Sequence, residues 1–344
     1  LCTVGLNPLL ILLGADANTM DATAGYLKWT VLFGAAPAIL NVVMAYMVRA
    51  EGSSLHASIG TMSGCLLNII LDPIFILPWG FDMGAAGAGL ATFLSNCVAC
   101  VYFFVLLRVR RKTTFVCINP EKFSLQKYIV LGVCAVGIPA AIQNLLNVTG
   151  MTILNNFTSS YGAQAVAAMG ITQKINMVPL QVAMGFSQGI MPLISYNYAS
   201  GNHRRMKETI FFTIKTLLPF LVVVSLGYFA GAGLLTRAFM DNEAVVAYGT
   251  RFLRGFCLGL PFLCMDFLAV GVFQAVGMGK AALSFAILRK IVLEIPALYL
   301  LNLLFPLYGL SYAQLVAELV LSIASVIMLA RIFRRMQRED GASS

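Results

Sequence analysis

Apolar runs of about twenty residues, separated by short polar connections, recur along all 344 positions of this chain and constrain its fold more than any motif. A hydrocarbon layer about 30 Å thick is crossed by roughly twenty helical residues. Such runs predict ten helices, at 1–14, 25–47, 57–78, 85–107, 128–156, 161–198, 209–236, 246–276, 282–304 and 309–332. The first starts inside an apolar run without the basic flank of a signal peptide, so it reads as truncated. The run 161–198 exceeds one span, so its end projects beyond the bilayer or it bends at Pro179 or Pro192. Only 11% of residues are charged, against about 25% in soluble chains, and mean hydropathy is +0.86. That excludes a cytosolic enzyme, a nucleic-acid binder and a disordered or disulfide-scaffold protein. The expected class is an all-α polytopic membrane protein.

Charge orients it. Alternating the connections between two sides puts Arg108, Arg110, Arg111, Lys112, Arg204, Arg205, Lys280, Arg331 and Arg334 on one side. The other side's connections hold Arg237, with Lys28 close by, against Asp16, Asp21, Asp82, Asp241 and Glu243. Basic loops mark the cytoplasmic side, so the C-terminus is expected inside, and no nucleic-acid partner is needed to explain the basic runs. Most of the eight cysteines sit in apolar stretches and read as buried free thiols. Cys97 and Cys100 form a CxxC with no second pair and no nearby His, a weak metal or redox signal.

The chain also resembles itself at an offset of about 224 residues. Pro37 falls on Pro261, Arg49-Ala-Glu51-Gly52 near Gln274-Ala-Val276-Gly277, Pro73 near Pro296, Gly84 near Gly309, and the basic cluster from Arg108 near Arg331. Six helices separate equivalent points, so the halves share an orientation, as in parallel-repeat transporters. Two six-helix lobes follow, with about ten helices present, two and part of a third falling before Leu1. The boundaries are 1–112 for the N-terminal lobe, 113–127 for a cytoplasmic linker and 128–344 for the C-terminal lobe.

Ionisable groups within spans cost several kcal/mol, about 2.5 or more, and usually face a cavity or a partner. The sharpest group is Asn68-Ile-Ile-Leu-Asp72-Pro73. Asn68 and Asp72 share a helix face. Pro73 lacks an N–H and clashes with the Ile69 carbonyl, loosening that turn. Carboxylate, amide oxygen and loosened carbonyl suit Na⁺ or a proton-binding carboxyl, with Thr92 and Asn41 as further oxygens. A kink whose Asp bonds a neighbouring helix is the other reading. Asp266 sits five residues after Pro261, as a cargo or cation contact in a central cavity or as the partner of an interhelical donor. Gln143, Asn144 and Asn147 line one helix as a cavity wall or as interhelical bonds. Arg289, Lys290 and Glu294 lie within one turn and a half, an ion-pair cluster or a coupling element, with Glu318 within reach of Arg289 or Lys174 in the fold. The glycines of Gly84-Ala-Ala-Gly87-Ala-Gly89 read as a close helix contact. Histidines occur only in loops, at His56 and His203, and no catalytic motif is present, so an enzyme is not expected.

Taken together, these residues resemble the multidrug and toxic compound extrusion (MATE) family, bacterial branch. The match runs through Arg49-Ala-Glu51-Gly52, Asn68…Asp72-Pro73 and Gly84 to Thr92, then Gly162-Ala-Gln164, Gln188-Gly189, Pro192-Leu-Ile194, Asn197-Tyr198 and Gly201-Asn202. The resemblance implies two six-helix lobes in a V and export of small organic cations or amphipathic drugs by alternating access, in antiport with Na⁺ or H⁺ and with no cofactor. It implies a bacterial plasma (inner) membrane, the lipid bilayer as surroundings, and a monomer. Asn68, Asp72 and Thr92, with Asn41, correspond to the family's first-lobe cation site. That family places a further Asp in its first helix, which this chain lacks. Asp266 resembles an acid of some members, and Asn147 stands where certain relatives carry Glu, which favours coupling in the first lobe. A lipid-linked saccharide flippase of a related superfamily is the alternative within transport; a non-transporting receptor or scaffold is the alternative outside it.

Overall fold

A computed structural model describes residues 20–117 and 124–342. The predicted helix 1–14 and the Asn119-Pro120 pair of the linker lie outside the described residues. The described residues are helical throughout, apart from short connections, and they fall into two compact units divided at Phe123 and Ser124.

In the first unit, α1 (Met20–Leu27) runs on through a π-helical turn (Lys28–Phe33) and meets α2 (Ala35–Ala50) at a 52° bend. Gly34 makes the bend possible, because a Cβ there would sit 2.6 Å from the Trp29 carbonyl oxygen. Cys100 Sγ donates to the Pro37 carbonyl at 3.1 Å, which fastens the bend to α4. Helix α3 (Ser54–Ile76) and helix α4 (Gly84–Val109) complete the unit, packed on each other and on α2. A small core of Met44, Ala45, Val48, Ala57, Phe103 and Leu107 fills the centre. The expected close contact at Gly87 and Gly89 is present. A Cβ on Gly87 would lie 2.5 Å from the Phe75 carbonyl oxygen, and one on Gly89 2.9 Å from that of Tyr26. Large apolar side chains such as Ile39, Leu66, Ile69 and Val101 face outward, as lipid-facing surfaces do.

The second unit holds α5 (Lys127–Ser159), α6 (Ala163–Ala199), α7 (His203–Phe239), α8 (Glu243–Cys257), α9 (Leu260–Ala275), α10 (Gly279–Ile287), a π-helical turn (Leu288–Glu294), α11 (Ile295–Leu304), a 3-10 turn (Tyr308–Tyr312) and α12 (Ala313–Ala342). Asn202 and Asn242 cap α7 and α8 by accepting backbone N–H bonds, which satisfies donors that the first turn leaves free. Helix α6 continues unbroken past Pro179 and Pro192. Its 37 residues extend about 55 Å, more than the hydrocarbon layer needs. The break comes elsewhere. Helices α8 and α9 meet at 49° beside Gly259 and Pro261, where the sequence suggested one helix.

The two units repeat one plan. Each has a bent pair near a Gly and a Pro, closed by a left-handed glycine, Gly52 (φ +81°) or Gly277 (φ +77°). Ser53 N–H donates to Val48 at 3.2 Å in one, and Met278 N–H to Phe273 at 2.7 Å in the other, the same helix-ending turn. The next span is α3 in the first unit and residues 279–304 in the second; the last is α4 or α12. Among the described residues, six helices are long and apolar enough to cross a bilayer, or eight segments with each bent pair taken as one. The stretch 279–304 is helical throughout and carries Arg289, Lys290 and Glu294 in its middle.

Candidate cation site and buried charge cluster

In the first unit the Asn68 amide donates to Asp72 Oδ1 at 3.4 Å, both side chains half-buried on α3. The helix continues through Pro73, which donates nothing back to the Ile69 carbonyl. Thr92 donates its hydroxyl to the Ala88 carbonyl at 2.9 Å, which leaves the oxygen's lone pairs unused by that bond. Asn41 is engaged by a residue the sequence did not single out. Its Nδ2 donates to Asn96 Oδ1 at 3.0 Å, and Asn96 donates to the Thr92 carbonyl at 3.0 Å. The buried Asn41 Oδ1 has no protein donor among the described residues. Of the four predicted residues, Asn68 and Asp72 pair with each other, Asn41 pairs with Asn96, and the Thr92 hydroxyl bonds its own helix. No basic side chain pairs with Asp72 among the described residues, and no cluster of three or more His, Cys, Asp or Glu side chains gathers there as a metal site would.

The second unit is built in the opposite sense. Arg289 bridges Asp266 at 3.2 Å and Glu318 at 2.5 Å, which ties α9, the π-helical turn and α12 together. Its guanidinium also lies 5.4 Å from the Phe267 ring centroid, a cation–π arrangement. Lys290 pairs with Glu294 at 2.7 Å, and the Lys290 stem lies against Gly150 of α5. All five side chains are buried, Glu318 completely. The wider π-helical turn turns Arg289, Lys290 and Glu294 inward together; adjacent residues of a regular α-helix point in different directions. Lys174, the other base considered for Glu318, is exposed.

Two of the α5 amides bond outside this cluster. Gln143 accepts from Gln274 at 3.4 Å, and Asn144 is exposed and bonds the Ala140 carbonyl of its own helix at 3.1 Å. Asn147 is half-buried. The cysteines are more varied than expected, with Cys100, Cys257 and Cys264 buried and Cys65 and Cys117 exposed.

Comparison with known proteins settles the family. A curated relative, the multidrug export protein MepA of Staphylococcus saprophyticus, is 34% identical over 320 residues, covering 92% of this chain and 69% of its own length. The chain belongs to the MATE family. The MatE family profile matches residues 139–300. MepA of Staphylococcus aureus is 33% identical over the same coverage. The fold is shared with the Vibrio cholerae MATE transporter VcmN, whose bent form superposes with a TM-score of 0.82 at 22% identity, over 97% of this chain and 75% of that one. An outward-facing multidrug resistance MATE transporter superposes at 0.89 and 22% identity, over 97% and 74%. This chain is a multi-pass membrane protein of a multidrug efflux family, and its all-helical plan is that of MATE transporters.

Proposed function

We propose that the protein exports small organic cations or amphipathic drugs in antiport with Na⁺ or H⁺, and that Asp72 is the coupling carboxylate. The observation that carries this is the contrast in counter-ions. Among the described residues Asp72 has an amide neighbour and no base, whereas Asp266, Glu294 and Glu318 are held by bases within their own unit. A carboxylate in a span without an internal partner takes its positive charge from outside the protein, as a metal cation or a proton. Asn68 and the loosened Ile69 carbonyl are oxygen donors of the hard kind that Na⁺ accepts, with Thr92 as a further one on α4. Gln143, Asn144 and Asn147 on α5 are assigned to the cargo-facing wall, and the C-terminus to the cytoplasm.

Coupling then follows from differential affinity. Cation binding at Asp72 shifts the lobes toward the arrangement that releases cargo outward, and only as far as its affinity differs between the two arrangements. By reciprocity the cargo weakens cation binding by the same factor. The test is export of a fluorescent organic cation by everted vesicles from an efflux-deficient bacterium, under an imposed Na⁺ or H⁺ gradient, with Asp72→Asn beside the wild type. Gradient-driven transport abolished by the substitution supports the antiporter and names the ion. Transport that survives moves coupling away from Asp72, and an inactive, well-expressed wild type points to an anionic or lipid-linked cargo.

A further inference from the structure

The motif Arg49-Ala-Glu51-Gly52 and the basic run from Arg108 take no part in the cation site, yet the structure joins them. Glu51 follows the last turn of α2. Its Oε1 accepts the backbone N–H of Phe115 at 2.5 Å and of Val116 at 2.9 Å, and the Thr114 hydroxyl donates to the same carboxylate at 2.8 Å. Beside it, Arg110 donates to Ser53 Oγ at 3.1 Å and to His56 Nε2 at 2.8 Å. A guanidinium has no acceptor, so Nε2 accepts and the ring's Nδ1 donates to Tyr102 Oη at 3.2 Å. The segment that leaves α4 is thus fastened to the turn between α2 and α3.

Nothing else explains the carboxylate. The Phe115 side chain is 94% exposed, and Val116 packs half-buried against the first unit's core, a contact that requires no acid. The turn does not require an acid either. The second unit makes the same turn with Val276 in place of Glu51, and a valine side chain accepts no hydrogen bond. Bonds from N–H groups to a carboxylate are roughly twice as strong as neutral ones. We propose that Glu51 is a positioning residue for transport, anchoring the start of the linker between the lobes to the first unit. This rests on the transporter reading above.

Two measurements on the whole protein in nanodiscs test it. Hydrogen exchange at Phe115 and Val116 rises about tenfold or more in Glu51→Ala. Glu51→Gln, which keeps an acceptor at Oε1, changes it far less, and exchange within α3 and α4 stays as in the wild type. In vesicles, Glu51→Ala lowers turnover severalfold while the Kd of a fluorescent organic cation is unchanged, and Glu51→Gln restores most of the rate. Unchanged exchange in Glu51→Ala overturns the anchor. Raised exchange with wild-type turnover, or a weakened Kd that accounts for the lost rate, overturns the positioning role. If the wild type moves no organic cation, the transporter reading fails, and the exchange result still decides the anchor. Should Glu51→Ala fail to fold, Thr114→Val removes one donor of the same carboxylate, and a rise in exchange at Phe115, whose N–H bonds Glu51, is the expected result there.

Discussion

In the first unit an acid in a span meets an amide, Asn68 to Asp72; in the second, the acids Asp266, Glu318 and Glu294 meet Arg289 and Lys290. The backbones that carry these groups repeat the same bend, the same left-handed glycine and the same order of spans. One plan therefore hosts two electrostatic designs. A buried acid with its own base keeps its counter-charge in every state in which the helices stay together. An acid without one has a protonation or ion-binding state that depends on what reaches it. The first arrangement suits a rigid element, and the second suits a group that must respond to an ion gradient. Close glycine contacts serve both units, bringing α4 to within backbone distance of α3 and α1 in the first and α10 to within that of α5 at Gly279 in the second; the buried charges that join α9, the π-helical turn and α12 are what set the second apart.

The largest effect is expected where a charge would be stranded. Arg289→Ala leaves Asp266 and Glu318 buried without their shared base, a loss of about 3–5 kcal/mol. Unfolding of the detergent-solubilised protein by titrated denaturant measures it. Replacing Arg289, Asp266 and Glu318 together by apolar residues of similar volume should recover most of that loss. Asp72→Asn in the same assay should shift stability by less than about 1 kcal/mol, because a half-buried acid loses no base. If Arg289→Ala unfolds at the wild-type midpoint, or Asp72→Asn proves the more damaging, the contrast between the units is wrong.

A smaller effect separates the two ways of holding helices. Gly87→Ala puts a Cβ against the Phe75 carbonyl, and neither backbone can yield cheaply. Overpacking of this kind costs about 1–3 kcal/mol. Gly189→Ala on α6, where a Cβ meets open space, should be neutral or gain up to about 1 kcal/mol of helix propensity. Equal responses to these two substitutions would mean that the close backbone approach at Gly87 does not hold α3 and α4 together.

The spans and the family were legible in the sequence because both rest on local patterns. Apolar runs set the helices, and Asn68, Asp72 and Pro73 lie within one helix, where spacing alone fixes their relation. The pairing of Arg289 with Glu318 was one of two options, because it joins helices whose facing surfaces spacing does not define. Asn96 was missed, since one Asn in an apolar helix carries no periodic signal until Asn41 is brought opposite it. The bends were misplaced for a similar reason. Proline marks where a helix can lose a bond; here the breaks fall where a glycine stands a few residues before the proline, at Gly34 and Gly259, with carbonyls crowded on the glycine at Gly34, and α6 carries its two prolines unbroken.

The smallest prediction concerns that missed pair. Asn96→Leu strands the Asn41 amide, whose Oδ1 already lacks a protein donor among the described residues, so a loss of about 0.5–1.5 kcal/mol is expected. Changing Asn41 and Asn96 to Leu together removes donor and acceptor at once and should cost less than the sum of the single changes. The coupling between the two, read from a double-mutant cycle on the unfolding midpoint, is then the worth of a neutral polar bond between α2 and α4. Set beside the Arg289 result, it puts a neutral bridge and a charged bridge on one scale within one protein. A coupling near zero would mean that glycine contacts and the small apolar core hold the first unit, with Asn41 and Asn96 free to serve a ligand instead. A coupling as large as that of the Arg289 bridge would mean that the first unit is locked as firmly as the second, and the division of roles between them would fail.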